Sequence, residues 1–337
     1  MNMNVTGFYH DPPLFLVENP IGEDRLSVDF SAFFNEAYRH STDDGLQIMA
    51  TVEGLFAFDF SKLPEYAWEE TGDTSVTSFD KRAEVVVRRT RAMNALLAFL
   101  YTHEMMNVNY SRERMVITPD LTIPMDRLDP MASKGFGNQW VAHLSASSYP
   151  STYRPGVPYP FDGRLSGRGA SVAADIVKNA GHDLNKLMND HGSEGVLLID
   201  LFHRASKAFQ DHDHSLSLIN NWTVIERLLN DLWGQLQSDY KTRDGVAFLS
   251  RERLQRLQDG RTFTASVMSE MLSFLDYLPR ENYDDMTKIR KTRNEWMHGL
   301  KVVDANTAGM AISVAERMLK QVKDITVRGS AGRRLYG

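Results

Sequence analysis

The second half of the chain repeats apolar residues at spacings of three and four, and this period constrains its fold more than any other feature. It predicts six helices, at residues 170–190, 194–210, 215–238, 263–279, 283–298 and 305–326. The third helix is the best defined, because six large apolar side chains share one face: Leu218, Trp222, Ile225, Leu229, Leu232 and Leu236. Short connections between such helices predict an up-and-down helical bundle.

The first half has the pattern of a mixed α/β domain. Apolar residues alternate with mostly polar ones over residues 46–52, and Phe56, Phe58 and Phe60 recur with the same period of two, which predicts strands. Residues 114–124 are rich in β-branched side chains and contain prolines, and Lys81–His103 has a helical pattern. We therefore predict the α+β class, with a mixed N-terminal domain followed by the bundle.

A change of composition separates the two halves. Residues 145–169 are dominated by Pro, Gly, Ser and Tyr, and no period survives there. We place the domain boundary in this segment. Residues 1–165 then form an N-terminal domain to which we assign a sensing or regulatory role, and residues 166–337 form the helical domain. The core of the helical domain spans about residues 190–327, and the chain ends in a basic tail, RGSAGRRLYG.

Composition excludes several classes of function. The chain of 337 residues has no cysteine, which excludes disulfides, thiolate nucleophiles and zinc sites with cysteine ligands. Its net charge of −6 argues against a protein that coats nucleic acid non-specifically. The longest uncharged apolar run, Ala95–Tyr101, is too short to cross a bilayer, and the first residues lack the pattern of a signal peptide. We therefore expect a cytoplasmic protein without a membrane partner.

One short segment departs from this acidic average. Residues 286–301 carry a single acid, Glu295, and five bases: Lys288, Arg290, Lys291, Arg293 and Lys301. A polyanion would bind this segment in preference to the rest of the chain. The alternative is an ordinary solvated helix face, which is what most charge runs are.

Two predicted helices carry a charged residue within an apolar row. On helix 215–238 the row is Ile219, Trp222, Glu226, Leu229 and Trp233. On helix 283–298 the row is Met286, Ile289, Arg293, Trp296 and Leu300. Because a buried charge is costly unless it is paired, we predict that Glu226 and Arg293 approach within hydrogen-bonding or one-water distance. Such a pair has either a catalytic role or a structural one that sets the helix register.

The residues that follow Arg293 favour a catalytic role. Asn294 and His298 lie four residues apart on one face of the helix, and Gly299 is a natural C-terminal cap that would place His298 in the last turn. A histidine there can donate or accept protons near neutral pH. These residues therefore favour a site at which protons are transferred.

An Arg-Asn pair followed, after three residues, by a histidine at a helix end resembles the signature of HEPN domains. The helix segment WTVIERLL, which contains Glu226, resembles the glutamate-bearing helix of the ApeA-like branch of that family. The resemblance covers about residues 190–327 and does not extend to residues 1–165. HEPN domains occur in prokaryotic toxins and in anti-phage proteins.

The resemblance implies a metal-independent endoribonuclease that needs no cofactor. In this reading His298 moves protons, Arg293 stabilises charge on the phosphate, Asn294 orients the substrate or His298, and Glu226 holds Arg293. RNA is then the substrate. Because HEPN domains pair two copies so that both motifs line one cleft, the resemblance also implies a homodimer through the bundle. Separately from the resemblance, we expect residues 1–165 to sense a trigger, for which a phage-derived or stress-derived molecule is the candidate.

Other readings remain open. The alternative function is a non-catalytic module that binds RNA, nucleotide or protein. The loop Asp211–His214, with His203, has side chains that can bind a metal, although their spacing matches no fixed-geometry site and a solvated connection explains the loop better. The segment 163–169 (GRLSGRG) could cradle a phosphate or serve as a linker. Aromatic residues between Tyr149 and Phe161 could stack on bases or pack a loop.

Overall fold

The computed structural model describes residues 4–10, 14–17, 36–51, 54–67, 76–108, 113–129, 171–243, 246–247 and 249–329. The chain forms two compact units, Met1–Leu197 and Leu198–Gly337, called here the N-terminal and C-terminal units. The boundary predicted at residues 165–166, together with the Gly-rich and aromatic segments near it, lies outside the described residues. No helix of the described residues is both long enough and apolar enough to span a bilayer.

The N-terminal unit is built on an antiparallel sheet. Its described strands are β1 (Val5–Tyr9), β2 (Phe15–Val17), β3 (Glu36–Ser41), β4 (Gln47–Thr51), β5 (Leu55–Asp59), β6 (Ile123–Met125) and β7 (Ser171–Ala173), and its first helix is α1 (Val76–Val108). Five strands form one sheet in the order β3-β4-β5-β1-β6, and β2 pairs with β7 in a separate parallel ladder. The strands predicted over residues 46–52 and 56–60 are confirmed as β4 and β5.

Both faces of the five-stranded sheet are apolar. One face contributes a fully buried cluster: Val5, Met49, Leu55, Ala57, Ile123 and Met125. The other face carries a run of stacked rings, with Phe8 5.3 Å from Phe56 and Phe58 5.8 Å from Phe60. Arg89 of α1 lies over the Phe60 ring at 5.4 Å, so α1 packs on the phenylalanine face. The helical pattern predicted for residues 81–103 is thus confirmed and extended at both ends.

The β-branched segment after α1 forms a strand only at its end. Ile117 hydrogen-bonds through its N–H and C=O to the side chain of Asn94, and the Met115 N–H donates to the Tyr101 hydroxyl. Side chains of α1 thus replace a neighbouring strand as hydrogen-bond partners. Pro119 then begins a short 3-10 turn, and only Ile123–Met125 joins the sheet. The β-branched composition of residues 114–124 was therefore a poor guide to strand content.

Helix α2 (Ala174–Gln210) combines the first two helices predicted for the second half. Gly192 lies inside it with a φ of 56°, a left-handed conformation that glycine adopts without strain. The prediction left residues 191–193 outside both helices, so the break is confirmed. The boundary between the two compact units falls later in α2, between Leu197 and Leu198.

The C-terminal unit is mainly helical. Its described elements after α2 are α3 (His214–Asp239), the hairpin β8 (Thr242–Arg243) and β9 (Val246–Ala247), α4 (Arg251–Leu257), α5 (Ala265–Phe274), α6 (Arg280–Gly299) and α7 (Ala305–Lys323). The predicted helices 215–238, 283–298 and 305–326 are confirmed as α3, α6 and α7. An antiparallel sheet region followed by a helical region confirms the α+β class.

Two parts of the C-terminal unit differ from the prediction. The hairpin and α4 were not foreseen. Trp233 holds this insertion in place, because its indole N–H donates to the Leu257 carbonyl and its ring stacks on Phe263 at 5.2 Å. The helix predicted at residues 263–279 ends at Phe274. Two residues later, Asp276 takes a left-handed conformation with a φ of 60°.

A partly buried polar contact joins α6 to α7. The Arg317 guanidinium of α7 donates to the Asn282 amide oxygen at 2.6 Å and to Asp285 at 2.8 Å, and it reaches Glu281 at 3.3 Å. Asn282 is only 3% exposed, so its oxygen depends on Arg317 for a partner. This contact holds the start of α6 against the second half of α7.

We expect Arg317→Ala to lower the free energy of unfolding by about 1–3 kcal/mol, because it removes a charge-assisted contact and leaves a buried amide oxygen unsatisfied. Lys320→Ala is the matched control, since it removes an exposed pair with Asp324 on the same helix and should change stability by less than about 1 kcal/mol. Urea denaturation of both variants measures the difference. Equal midpoints would show that Arg317 is dispensable for the packing of α6 on α7.

Candidate functional site

The second half of α6 carries the predicted catalytic residues at the edge of the C-terminal unit. Ile289 is buried, Arg293 and Trp296 are half-buried, and Asn294 and His298 are exposed. The apolar row predicted for this helix is therefore buried at its start and emerges into solvent toward its end. Leu300, the last residue of the row, is 78% exposed, so the prediction is wrong there.

The end of α6 differs by one residue from the prediction. Gly299 is still helical, and Leu300 takes the left-handed conformation with φ 50° and donates its N–H to the Trp296 carbonyl at 2.8 Å. The capping position predicted for Gly299 is thus occupied by Leu300. For a residue with a side chain, this left-handed conformation is less favourable by roughly 1–2 kcal/mol. His298 nevertheless lies in the last turn of the helix, as expected.

The Arg293 side chain lies partly inside the unit without a carboxylate partner. Its Nη1 donates to the Asn294 amide oxygen at 3.1 Å, while its Nε is buried and forms no hydrogen bond. Among the described residues, Glu226 and Arg293 form neither a direct hydrogen bond nor an ion pair, so the direct form of the predicted pairing is wrong. A bridge through one water stays a prediction.

Polar contacts among α3, α6 and α7 involve other residues. Lys323 of α7 pairs with Asp231 of α3 at 2.9 Å, whereas Arg317 of α7 contacts the first turns of α6. Tyr277 bonds to a side chain of α3 and to one of α7. None of these contacts includes Glu226 or Arg293.

Arg293 follows Asp285, the partner of Arg317, by eight residues, or about 12 Å along α6. Glu226 is half-buried, at the margin of the apolar face of α3. The two charged residues thus lie on different helices without a direct contact, which the two separate sequence patterns could not show.

Within α6, the cations without a carboxylate partner lie in the second half of the helix. Arg280, Lys288 and Lys301 each pair with an acid, at distances of 3.4–3.7 Å. In the part of the chain that the structure describes, Arg290, Lys291 and Arg293 form no ion pair. Their charge is therefore available to an anion from solution. Of the bases predicted in residues 286–301, only these three are therefore available to bind an anion. We call these three side chains, together with His298, the basic face of α6.

Exposed apolar side chains adjoin this basic face. Met297, Leu300 and Val302 are 48%, 78% and 93% exposed. Three neighbouring apolar residues of this size at a helix end form a patch of the kind that marks interaction sites. Sequence reasoning missed the patch, because it assigned Leu300 to the buried row.

The alternative site in the loop before α3 has a structural explanation. Asp213 caps α3 by accepting a hydrogen bond from the Leu216 N–H at 3.0 Å, and Asp211 pairs with Lys207 at 2.5 Å. His203 is buried, whereas His212 is exposed. The described residues contain no group of three or more His, Asp or Glu side chains arranged to hold a metal ion. Both aspartates therefore already have roles in the α2–α3 connection.

Comparisons with protein-family models, with curated proteins and with solved structures found no match to this chain. The functional assignment consequently depends on the residues of α6 and their geometry.

Proposed function

We propose that the C-terminal unit is a metal-independent endoribonuclease of the HEPN type. The observation that carries this proposal is the arrangement at the end of α6, where Arg293 contacts Asn294 and His298 is exposed in the last turn. An arginine that no carboxylate neutralises can bind a phosphate, and a histidine within one to two turns of it can exchange protons with the same substrate. Both groups are needed to cut RNA without a metal.

The proposed reaction is attack of a ribose 2′-hydroxyl on the adjacent phosphorus. The neutral imidazole of His298 accepts the 2′-hydroxyl proton, the 2′-oxygen bonds to phosphorus, and the bond from phosphorus to the 5′-oxygen breaks. Arg293 donates two hydrogen bonds to the phosphoryl oxygens, where negative charge grows in the transition state. Asn294 orients the Arg293 guanidinium. The products are a 2′,3′-cyclic phosphate and a 5′-hydroxyl.

A second proton carrier is needed, because the departing 5′-oxygen must be protonated. We propose that His298 of a second copy supplies this proton in a homodimer formed through the C-terminal unit. The exposed side chains of Met297, Leu300 and Val302 adjoin the site and would be buried in such a contact. Sedimentation of the full chain should then give a mass twice that of the monomer.

Glu226 forms no direct hydrogen bond or ion pair with Arg293 among the described residues, so the proposed reaction assigns it no step. It lies half-buried at the margin of the apolar face of α3, and its link to Arg293 through one water stays a prediction.

Cleavage in the presence of a chelator tests the proposal. Purified full-length protein is incubated with end-labelled single-stranded RNA in excess EDTA, and the fragment ends are identified by phosphatase and kinase treatment. We expect fragments that end in 2′,3′-cyclic phosphate, and none from the matched all-DNA strand, which lacks the 2′-hydroxyl. Cleavage that requires a divalent metal, or fragments with 3′-hydroxyl ends, would contradict the mechanism. RNA binding without cleavage would favour the non-catalytic module.

A further inference from the structure

Arg290 lies one helical turn before Asn294 on the same row of α6, and its guanidinium makes no hydrogen bond or ion pair with the described residues. We infer that Arg290 is an RNA-binding residue that grips a backbone phosphate next to the one being cut. This inference rests on the proposed function, because it assigns a second phosphate contact to the same RNA strand.

The row to which Arg290 belongs has the dimensions of an RNA backbone contact. Arg290, Asn294 and His298 follow each other at intervals of four residues, so their side chains project from one face of α6. The row is about 12 Å long. Because a nucleic-acid strand in a helix carries one phosphate per about 3.4 Å of axis, more than one phosphate can lie along it. An RNA strand centred between Arg293 and His298 would thus extend past Arg290.

Comparison with the other cations of α6 places Arg290 among those that form no ion pair with the described residues. At the start of α6, Arg280 pairs with Asp284 and Lys288 pairs with Asp285, and after its end Lys301 pairs with Glu295. Arg290 is half-buried, so its position is restricted by its neighbours although no carboxylate holds it. A restricted guanidinium loses little freedom when it binds an oxyanion. Lys291, which is exposed and also forms no ion pair with the described residues, adds charge without this restriction.

The residue type fits a phosphate better than it fits a base. Arginine binds phosphate through two parallel N–H groups, and such contacts depend on charge and not on sequence. Arg290 should therefore contribute to affinity for any single-stranded RNA and to the salt dependence of binding, but little to sequence preference.

The test measures binding separately from cleavage. All variants are made in the His298→Ala background, so that a fluorescein-labelled single-stranded RNA stays intact, and its anisotropy is followed over a range of NaCl concentrations. Arg290→Gln is expected to weaken binding about tenfold and to lower the slope of log affinity against log salt by about 0.7. Arg280→Gln is the matched control, since it removes the same charge from the other end of α6 and should leave both quantities unchanged.

Arg290→Lys distinguishes charge from geometry. It should restore the salt slope while recovering only part of the affinity, because lysine keeps the charge and lacks the fork. In the active background, Arg290→Gln should raise KM and leave kcat unchanged. Equal binding by the Arg290→Gln and Arg280→Gln variants, or no RNA binding by the parent protein, would overturn the inference. Weakened binding by a protein that never cleaves RNA would support the contact and refute the ribonuclease proposal.

Discussion

Replacing His298 with alanine is expected to lower the rate of RNA cleavage by about 10²- to 10⁴-fold, the usual effect of losing a general acid or base. The fold should be unaffected. His298 is exposed in the last turn of α6, and an exposed side chain of this kind can be truncated with little change in stability. Single-turnover cleavage of labelled RNA, together with the melting temperature of the same preparation, measures both effects.

Lys301→Ala is the control for the His298 variant. Lys301 is exposed three residues further along the chain and pairs with Glu295 at 3.4 Å, so its loss tests whether any change at this end of the helix impairs cleavage. It should retain a cleavage rate close to that of the parent protein. If His298→Ala cleaved RNA at the parental rate, the catalytic reading would be wrong and the non-catalytic module would replace it.

Arg293→Ala is the second large effect that we expect. Removing a donor that stabilises charge in the transition state typically costs about 10²- to 10³-fold in rate. The effect of Arg293→Ala on the free energy of unfolding depends on whether Arg293 is paired with Glu226. If the two formed a buried pair, the variant would be about 3–5 kcal/mol less stable, because the Glu226 carboxylate would remain without a partner. Since the structure has no direct pair and Glu226 is half-buried, we expect a loss below about 1 kcal/mol.

Two further variants refine the Arg293 result. Arg293→Lys keeps the charge without the fork, so it should recover part of the lost rate and show how much of the effect is geometric. A double-mutant cycle that combines Arg293→Ala with Glu226→Gln measures the coupling between the two residues. We expect a coupling energy near zero. A coupling above about 1 kcal/mol would instead establish an indirect pair, bridged by water, and would return Glu226 to the site.

The α+β class and the main helices were accessible from sequence because each depends on local periodicity. The spacing of apolar residues in α3, α6 and α7 records which face is buried, whatever the neighbouring helix is. The break at Gly192 was accessible for a similar reason, since it interrupts the period where a flexible residue stands. Hairpin β8–β9 and α4 were missed because they are too short to show a period.

The absence of a direct Glu226–Arg293 contact has a different reason. A row of apolar positions shows which face of its own helix is buried, but it carries no information about which residues of two helices meet. Arg317 and Lys323 form the contacts between helices instead, with Asp285 and Asp231. A one-dimensional pattern cannot rank these long-range contacts, because the residues that form them are separated by 32 and 92 positions in the chain.

The sequence by itself determined which residues share the end of α6. Arg293, Asn294 and His298 lie within six positions of one helix, so they stay close together in any fold that contains this helix. Only the tertiary structure decided how each is used. The packing of α6 on α7 stops before Arg293 is fully enclosed, so His298 and Leu300 reach solvent, and Asp284, Asp285 and Glu295 of α6 pair with cations other than Arg293. Exposure and pairing depend on the surfaces that meet across the fold, and residues distant in sequence form those surfaces.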